Sequence, residues 1–162
     1  ADPFVAAARV IFVYRLIAGS AALAVGVLCA CAGPVTVPAP QPTSAAVVEA
    51  CDQLNHALPS SVLNAVRRTT EPQTPTTAAW GDPPITLRCG VTEPSGLTPT
   101  ASLLSVDGVD WLPEQRSAGY VFTTVGRQAF IEVAVPSAYA PETGVLTDLA
   151  PAITSAVPVV TQ

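Results

Sequence analysis

Asp52 and His56 stand four residues apart, the spacing that puts two side chains on one face of a helix, and Ser60 and Ser61 follow just beyond. A carboxylate, an imidazole and a hydroxyl in that order are the parts of a relay for nucleophilic hydrolysis. The same spacing also makes an ordinary solvated helix contact, and that plainer reading is preferred, so a non-catalytic role is expected. Asp107 and Asp110 flank an Asp-Gly step and could touch calcium weakly, but turn chemistry explains Asp107 without a metal. His56 is the single histidine, and with two cysteines outside the N-terminal segment it is too little for a four-ligand zinc site. No glycine-rich phosphate loop leads into a helix. Neither metal nor cofactor is expected.

The better candidates for a site are Trp80, Asp82, Arg88, Trp111 and Arg127, because tryptophan and arginine are the usual anchors of binding surfaces. Trp80 belongs to Trp80-Gly81-Asp82-Pro83-Pro84, a proline-stiffened turn. The competing expectation is core packing for both tryptophans and ion pairs of Arg88 and Arg127 with Asp82, Glu132 or Asp110.

These residues must be positioned by a small set of elements. Ser44 is a suitable N-cap, and Val47, Cys51, Leu54 and Leu58 recur at the spacing of one helical stripe before Pro59 stops the helix. Asp52, Asn55 and His56 then fall on the opposite side. A second short helix is expected after Ser60 or Ser61, burying Val62, Leu63 and Val66, with Arg67 and Arg68 at its negative C-terminal end. Thr69 to Thr77 reads as loop. Ile85, Leu87, Cys89 and Val91 alternate with polar residues and glycine as a half-buried strand. Cys89 thereby faces the same core as Cys51, and a disulfide between them would close a loop of about 38 residues, worth roughly 4 kcal/mol.

Asp107-Gly108 supplies the positive φ angles of a hairpin turn that pairs Val106 with Val109 and Leu104 with Trp111, and Pro113 favours an edge position. A further hairpin, Tyr120 to Thr124 and Arg127 to Val135, is expected to turn at Val125-Gly126. It would present Tyr120, Phe122, Ala129, Ile131 and Val133 to the core and pair Phe130 with Val121 on the other face. A final helix is expected from Pro141-Glu142, with Val145, Leu146, Leu149 and Ile153 as its stripe and a kink or restart at Pro151.

The N-terminus reads as a targeting signal. Residues 1–4 look like a cloning scar, with Val5 as the expected natural start. Arg9 and Arg15 precede an uncharged run from Leu16 to Ala30, so residues 5–32 are expected to be a signal peptide. Leu28-Cys29-Ala30-Cys31 resembles a bacterial lipobox, with Cys31 as the lipidated residue. Ordinary cleavage after Ala32, or a retained helix, are the alternatives. Residues 33–45, with four prolines from Gly33 to Thr43, are expected to be an extended tether reaching about 35 Å. Residues 46–162 would form a single domain.

Composition agrees with an exported domain and excludes a nucleic-acid surface. The chain has no lysine and seven arginines, and its net charge of −5 lacks the basic patch that a polyanion partner requires.

Taken together, Cys51 with Leu54 and Leu58-Pro59, the run Ala79 to Val91 with its Leu-Arg-Cys-Gly end, Val109-Asp110-Trp111, Phe122 to Arg127 and Glu132 to Pro136 resemble the actinobacterial exported proteins grouped as domain of unknown function 3515. The likeness covers about residues 46–157. It implies an envelope location and no activity.

The expected molecule is an α+β domain: an antiparallel sheet of about five strands, two to three helices packed on one face, and one disulfide, Cys51–Cys89. It would sit on the outer face of the plasma membrane through Cys31. Its expected role is a non-catalytic binding or assembly module with an envelope protein or cell-wall ligand as partner. A small hydrolase using Asp52 and His56, and a subunit of a membrane complex with an uncleaved helix, are the alternatives.

Overall fold

The computed structural model describes residues 33–42 and 44–160. The signal segment, the lipobox-like Cys31 and the alternative cleavage site lie outside the described residues. Among those described, the strands are β1 (Val35–Thr36), β2 (Ser61–Val62), β3 (Ala65–Arg68), β4 (Thr70–Glu71), β5 (Thr77–Trp80), β6 (Ile85–Val91), β7 (Leu104–Val106), β8 (Val109–Arg116), β9 (Gly119–Val125) and β10 (Phe130–Pro136). The helices are α1 (Ala45–Ala57) and α2 (Gly144–Ala156). None of them is long and apolar enough to cross a membrane.

The fold is α+β with an antiparallel sheet, as expected, but the sheet is larger. Eight strands run in the order β2-β3-β5-β6-β10-β9-β8-β7, and β1 and β4 form a separate parallel pair. The extra strands come from residues 61–80. Instead of a second helix, β2 and β3 make a tight hairpin in which Leu63 and Asn64 adopt φ of 46° and 65°. Two residues in the left-handed region fit the twist of a hairpin and not a helix. The Leu63 N–H donates to Asp148 Oδ2 of α2 at 2.8 Å, which ties the turn to the helix layer. Val66, expected in the core, is exposed. Arg67 and Arg68 consequently lie on a strand and not at a helix end. The Pro/Thr-rich stretch also contributes β4, and its buried Thr70 and Thr77 share a hydrogen bond at 3.0 Å.

Both helices cover one face of the sheet. Ser44 caps α1, accepting from the Val47 N–H at 3.2 Å, and Cys51, Leu54 and Leu58 are buried as the stripe requires. Cys51 and Cys89 form the disulfide, with Cα atoms 5.6 Å apart. Asn55 is not on a free face. Its amide nitrogen donates to the Pro75 carbonyl at 3.0 Å, fastening α1 to the loop before β5. In α2 the stripe Val145, Leu146, Leu149 and Ile153 is fully buried. Pro151 neither ends nor restarts α2, which runs through it. Its ring faces solvent and the residue four back, Thr147, is exposed, so the carbonyl left without an N–H can bond water.

The meander β7 to β10 follows the expected inward and outward faces. Val106 pairs with Val109 and Leu104 with Trp111 across the Asp107-Gly108 turn. β7 ends opposite Val109, Asp110 and Trp111, so Pro113 lies where β8 is paired on β9 alone. The second hairpin has a different register. Val121 faces Ala134, and Phe130 faces Val91 of β6, so the expected Val121–Phe130 pair does not form. The reason is the longer turn from Gly126 to Ala129. Thr124 Oγ1 donates to the Ala129 carbonyl and accepts the Ile131 N–H at 2.9 Å, substituting a side chain for a ladder partner.

The face opposite the helices is partly covered by the segment expected to be an extended tether. Val35 N–H donates to the Thr69 carbonyl at 2.9 Å and Val37 N–H to the Glu71 carbonyl at 3.1 Å. Val35 and Val37 form a small core with Ala79. Residues 33–42 are therefore a docked strap: burying two valines and pairing two backbone donors outweighs the tendency of a proline-rich stretch to stay extended in solvent. The helix that follows already begins at Ala45.

Candidate functional site

The five residues singled out by type do not converge. Trp80 and Trp111 are fully buried in the helix-side core. Trp80 Nε1 donates to the Pro59 carbonyl at 3.0 Å, and the Arg67 guanidinium stacks over its ring at 5.8 Å from the centroid. Burial lowers the Arg67 pKa from its ordinary value, because the charged form is desolvated. Arg67 Nη2 meets Asn55 Oδ1 at 2.9 Å, which keeps that charge hydrogen-bonded. Trp111 Nε1 is buried and has no hydrogen-bond partner among the described residues.

Arg127 is buried as a clamp. Its Nη1 donates to the Val157 carbonyl at 2.7 Å and its Nη2 to the Gly108 carbonyl at 2.9 Å, joining the segment after α2 to the β7–β8 turn. Desolvation lowers its pKa and the nearby Asp110 charge opposes that shift. Asp82 stands at the opposite extreme, its side chain 81 % exposed and 4.0 Å from Arg68.

Asp52 and His56 are brought together only with each other. The His56 ring Nδ1 bonds the Asp52 backbone carbonyl at 2.8 Å, the Asp52 carboxylate is 3.8 Å away, and the His56 side chain is 79 % exposed. Among the described residues no serine hydroxyl hydrogen-bonds His56, so the nucleophile of a relay is not in position. Asp107 has φ of 48°, as a hairpin turn demands.

Arg88 lines a cavity, and that cavity is the best candidate site. It is a trough of about 590 Å³ on the open face of the sheet, walled by the strap at residues 39–41 and by the loop at residues 92–95. This falls within the ~300–1,000 Å³ typical of small-molecule sites. Its floor follows from sheet register: Arg88, Glu132 and Thr123 face one another across β6, β10 and β9. Arg88 Nη1 bonds Glu132 Oε1 at 3.0 Å, and Arg88 Nε donates to the Pro38 carbonyl at 2.9 Å. Farther along, Arg116 Nη2 bonds Glu114 Oε1 at 3.0 Å. Thr123 lies at the base of the trough, 2 % exposed.

Gly90 shapes the end of the trough. It sits at φ 83°, beside the register shift between Phe130 and Ile131, and a Cβ there would lie 3.1 to 3.3 Å from Pro42 and Val47. Only glycine satisfies both the positive φ and the close approach of the strap.

Residue types pointed to Arg88 and its Glu132 partner. They missed Thr123, Glu114 and Arg116, whose alternation in their strands was legible but whose alignment with Arg88 depends on β10 docking beside β6.

No curated protein and no solved structure matches this chain. A family description, "Protein of unknown function (DUF3515)", matches residues 6–161, and the chain belongs to that family.

Proposed function

We propose that this protein is an exported, membrane-anchored and non-catalytic binding module of the cell envelope, with the trough over Arg88, Glu132 and Thr123 as its ligand site. The observation that carries the reading is the trough itself: a polar cavity of about 590 Å³ on the open face of the sheet, with one wall made by the strap. The Cys51–Cys89 disulfide accords with an oxidising compartment. The signal-like segment ending at Cys31 supplies the expected anchor. His56, held to its own helix and open to solvent, gives the hydrolase reading no support.

The test is the intact mass of the protein recovered from membranes of an actinobacterial host, together with fractionation of a Cys31→Ser variant. Loss of the segment before Cys31 with added lipid mass, and release of the variant from the membrane, is the expected outcome. An unprocessed chain would replace this reading with that of a membrane-complex subunit.

A further inference from the structure

We infer that the trough takes a neutral, polyhydroxylated ligand, a glycan chain, rather than an anion or an extended peptide. This rests on the trough being the binding site proposed above.

Charge argues against an anion. Five ionisable side chains line the trough: Arg88, Arg116, Glu93, Glu114 and Glu132. Both arginines are already engaged at 3.0 Å by carboxylates, and a third carboxylate, Glu93, stands exposed beside them. An incoming anion would meet arginines whose charge is already neutralised by a bound glutamate, and it would be repelled by Glu93 and by both partner carboxylates. The strand order argues against an extended peptide. β6, β10 and β9 are each paired on both sides, so the floor offers no free backbone edge for strand addition.

What the floor does offer is side-chain donors and acceptors in close alternation. Each guanidinium has five N–H donors, and the hydrogen bonds made here leave Arg88 Nη2 and Arg116 Nη1 unpaired among the described residues. Each paired glutamate keeps lone pairs to accept with. The Thr123 hydroxyl, at the nearly buried base of the trough, can both donate and accept. A sugar hydroxyl can accept from an arginine and donate to the adjoining carboxylate at once, without breaking the ion pair. A second recess of about 270 Å³, lined by Pro42, Val47 and Phe130, shares Gln41 and residues 90–93 with the trough. It gives the C–H face of a ring an apolar wall.

The test is a chemical-shift titration of the isotope-labelled full chain in detergent micelles. The neutral probes are chitotetraose, mannotetraose and maltotetraose, set against tetragalacturonate, a chitosan tetramer and a tetra-alanine peptide. We expect at least one neutral probe to shift amides of Arg88, Thr123 and Glu132. Thr123→Val and the exposed-site variant Arg116→Gln should each weaken that binding about 5- to 10-fold, the loss of one or two hydrogen bonds. Shifts in the trough with tetragalacturonate, the cationic tetramer or the peptide, and none with neutral sugars, would overturn the ligand class while leaving the binding site standing. Shifts elsewhere only, or none with any probe up to about ten millimolar, would remove both.

Discussion

Arg88 Nε donates to the carbonyl of Pro38 at 2.9 Å, joining the middle of the sheet to a residue 50 positions earlier in the chain. That bond, with Arg68 Nη2 donating to the Gly33 carbonyl at 2.6 Å, makes the strap part of the domain.

The strap should therefore loosen when its two arginine contacts are removed. In the Arg68→Ala/Arg88→Ala variant, amide exchange at Val35 and Val37 should quicken at least 10-fold while Leu87 and Ile131 stay protected. Charged hydrogen bonds of this kind contribute about 1.5–3 kcal/mol each. Unchanged exchange at Val35 and Val37, read by mass spectrometry, would mean that burial of Val37 against Ala79 suffices to hold the strap.

Trp80 and Trp111 allow a paired comparison, since both are fully buried and only one has its indole N–H bonded. Phenylalanine removes similar volume at each position. Trp80→Phe also breaks the bond to Pro59, whereas Trp111→Phe removes a buried donor with no partner. Denaturant melts should find Trp80→Phe the more destabilising by about 1–2 kcal/mol. Equal losses would show that the Trp111 N–H is satisfied in solution.

Arg127→Met should destabilise the domain by about 2–4 kcal/mol, because the Val157 and Gly108 carbonyls lose their donor at a buried site. Its pH dependence has a definite sign. A folded pKa below the unfolded one means that the unfolded chain binds more protons in the window just under the ordinary arginine value, so stability rises with pH there. Both states are fully protonated at neutral pH, so the cost of Arg127→Met should be the same at about pH 6 and about pH 9. A cost that varied over that range would show that a group other than the arginine is coupled to this site.

Replacing Cys51 and Cys89 by serine should cost about 4 kcal/mol in oxidising buffer, from a cross-link spanning 38 residues. Wild type in reductant should melt close to the double variant. A melting temperature indifferent to both treatments would mean that the unfolded chain is already restricted by residual structure of its own.

Gly90→Ala should reach the trough from its end. The added methyl is strained at φ 83° and meets Pro42 and Val47, so the strap should shift outward. We expect a loss of about 1–2 kcal/mol and faster proteolysis between residues 36 and 42. An intact, equally stable strap would show that Gly90 is kept for the bulge alone.

Much of the helix-side architecture was legible in the sequence. The stripe from Val47 to Leu58, the alternation from Ile85 to Val91 and the Asp107-Gly108 turn are local patterns, and local sterics and hydration suffice to produce them. The same patterns implied that Cys51 and Cys89 face one core. Residues 61–68 were misread because Val62, Leu63 and Val66 suit either period over so short a stretch. The turn at Leu63-Asn64 is stabilised from outside, by Asp148 of α2.

By itself, then, the sequence determined an α+β domain, the disulfide pairing, and which side chains of β6 to β10 face the helices. Tertiary structure decided the sheet order, the docking of the strap and the trough. These depend on contacts between residues far apart in the chain: β10 docks beside β6, and the strap docks where Ala79 and Arg88 offer apolar surface and a donor. Pattern within a segment says which face is buried; which segment buries it is set by the free energy of the whole packed domain.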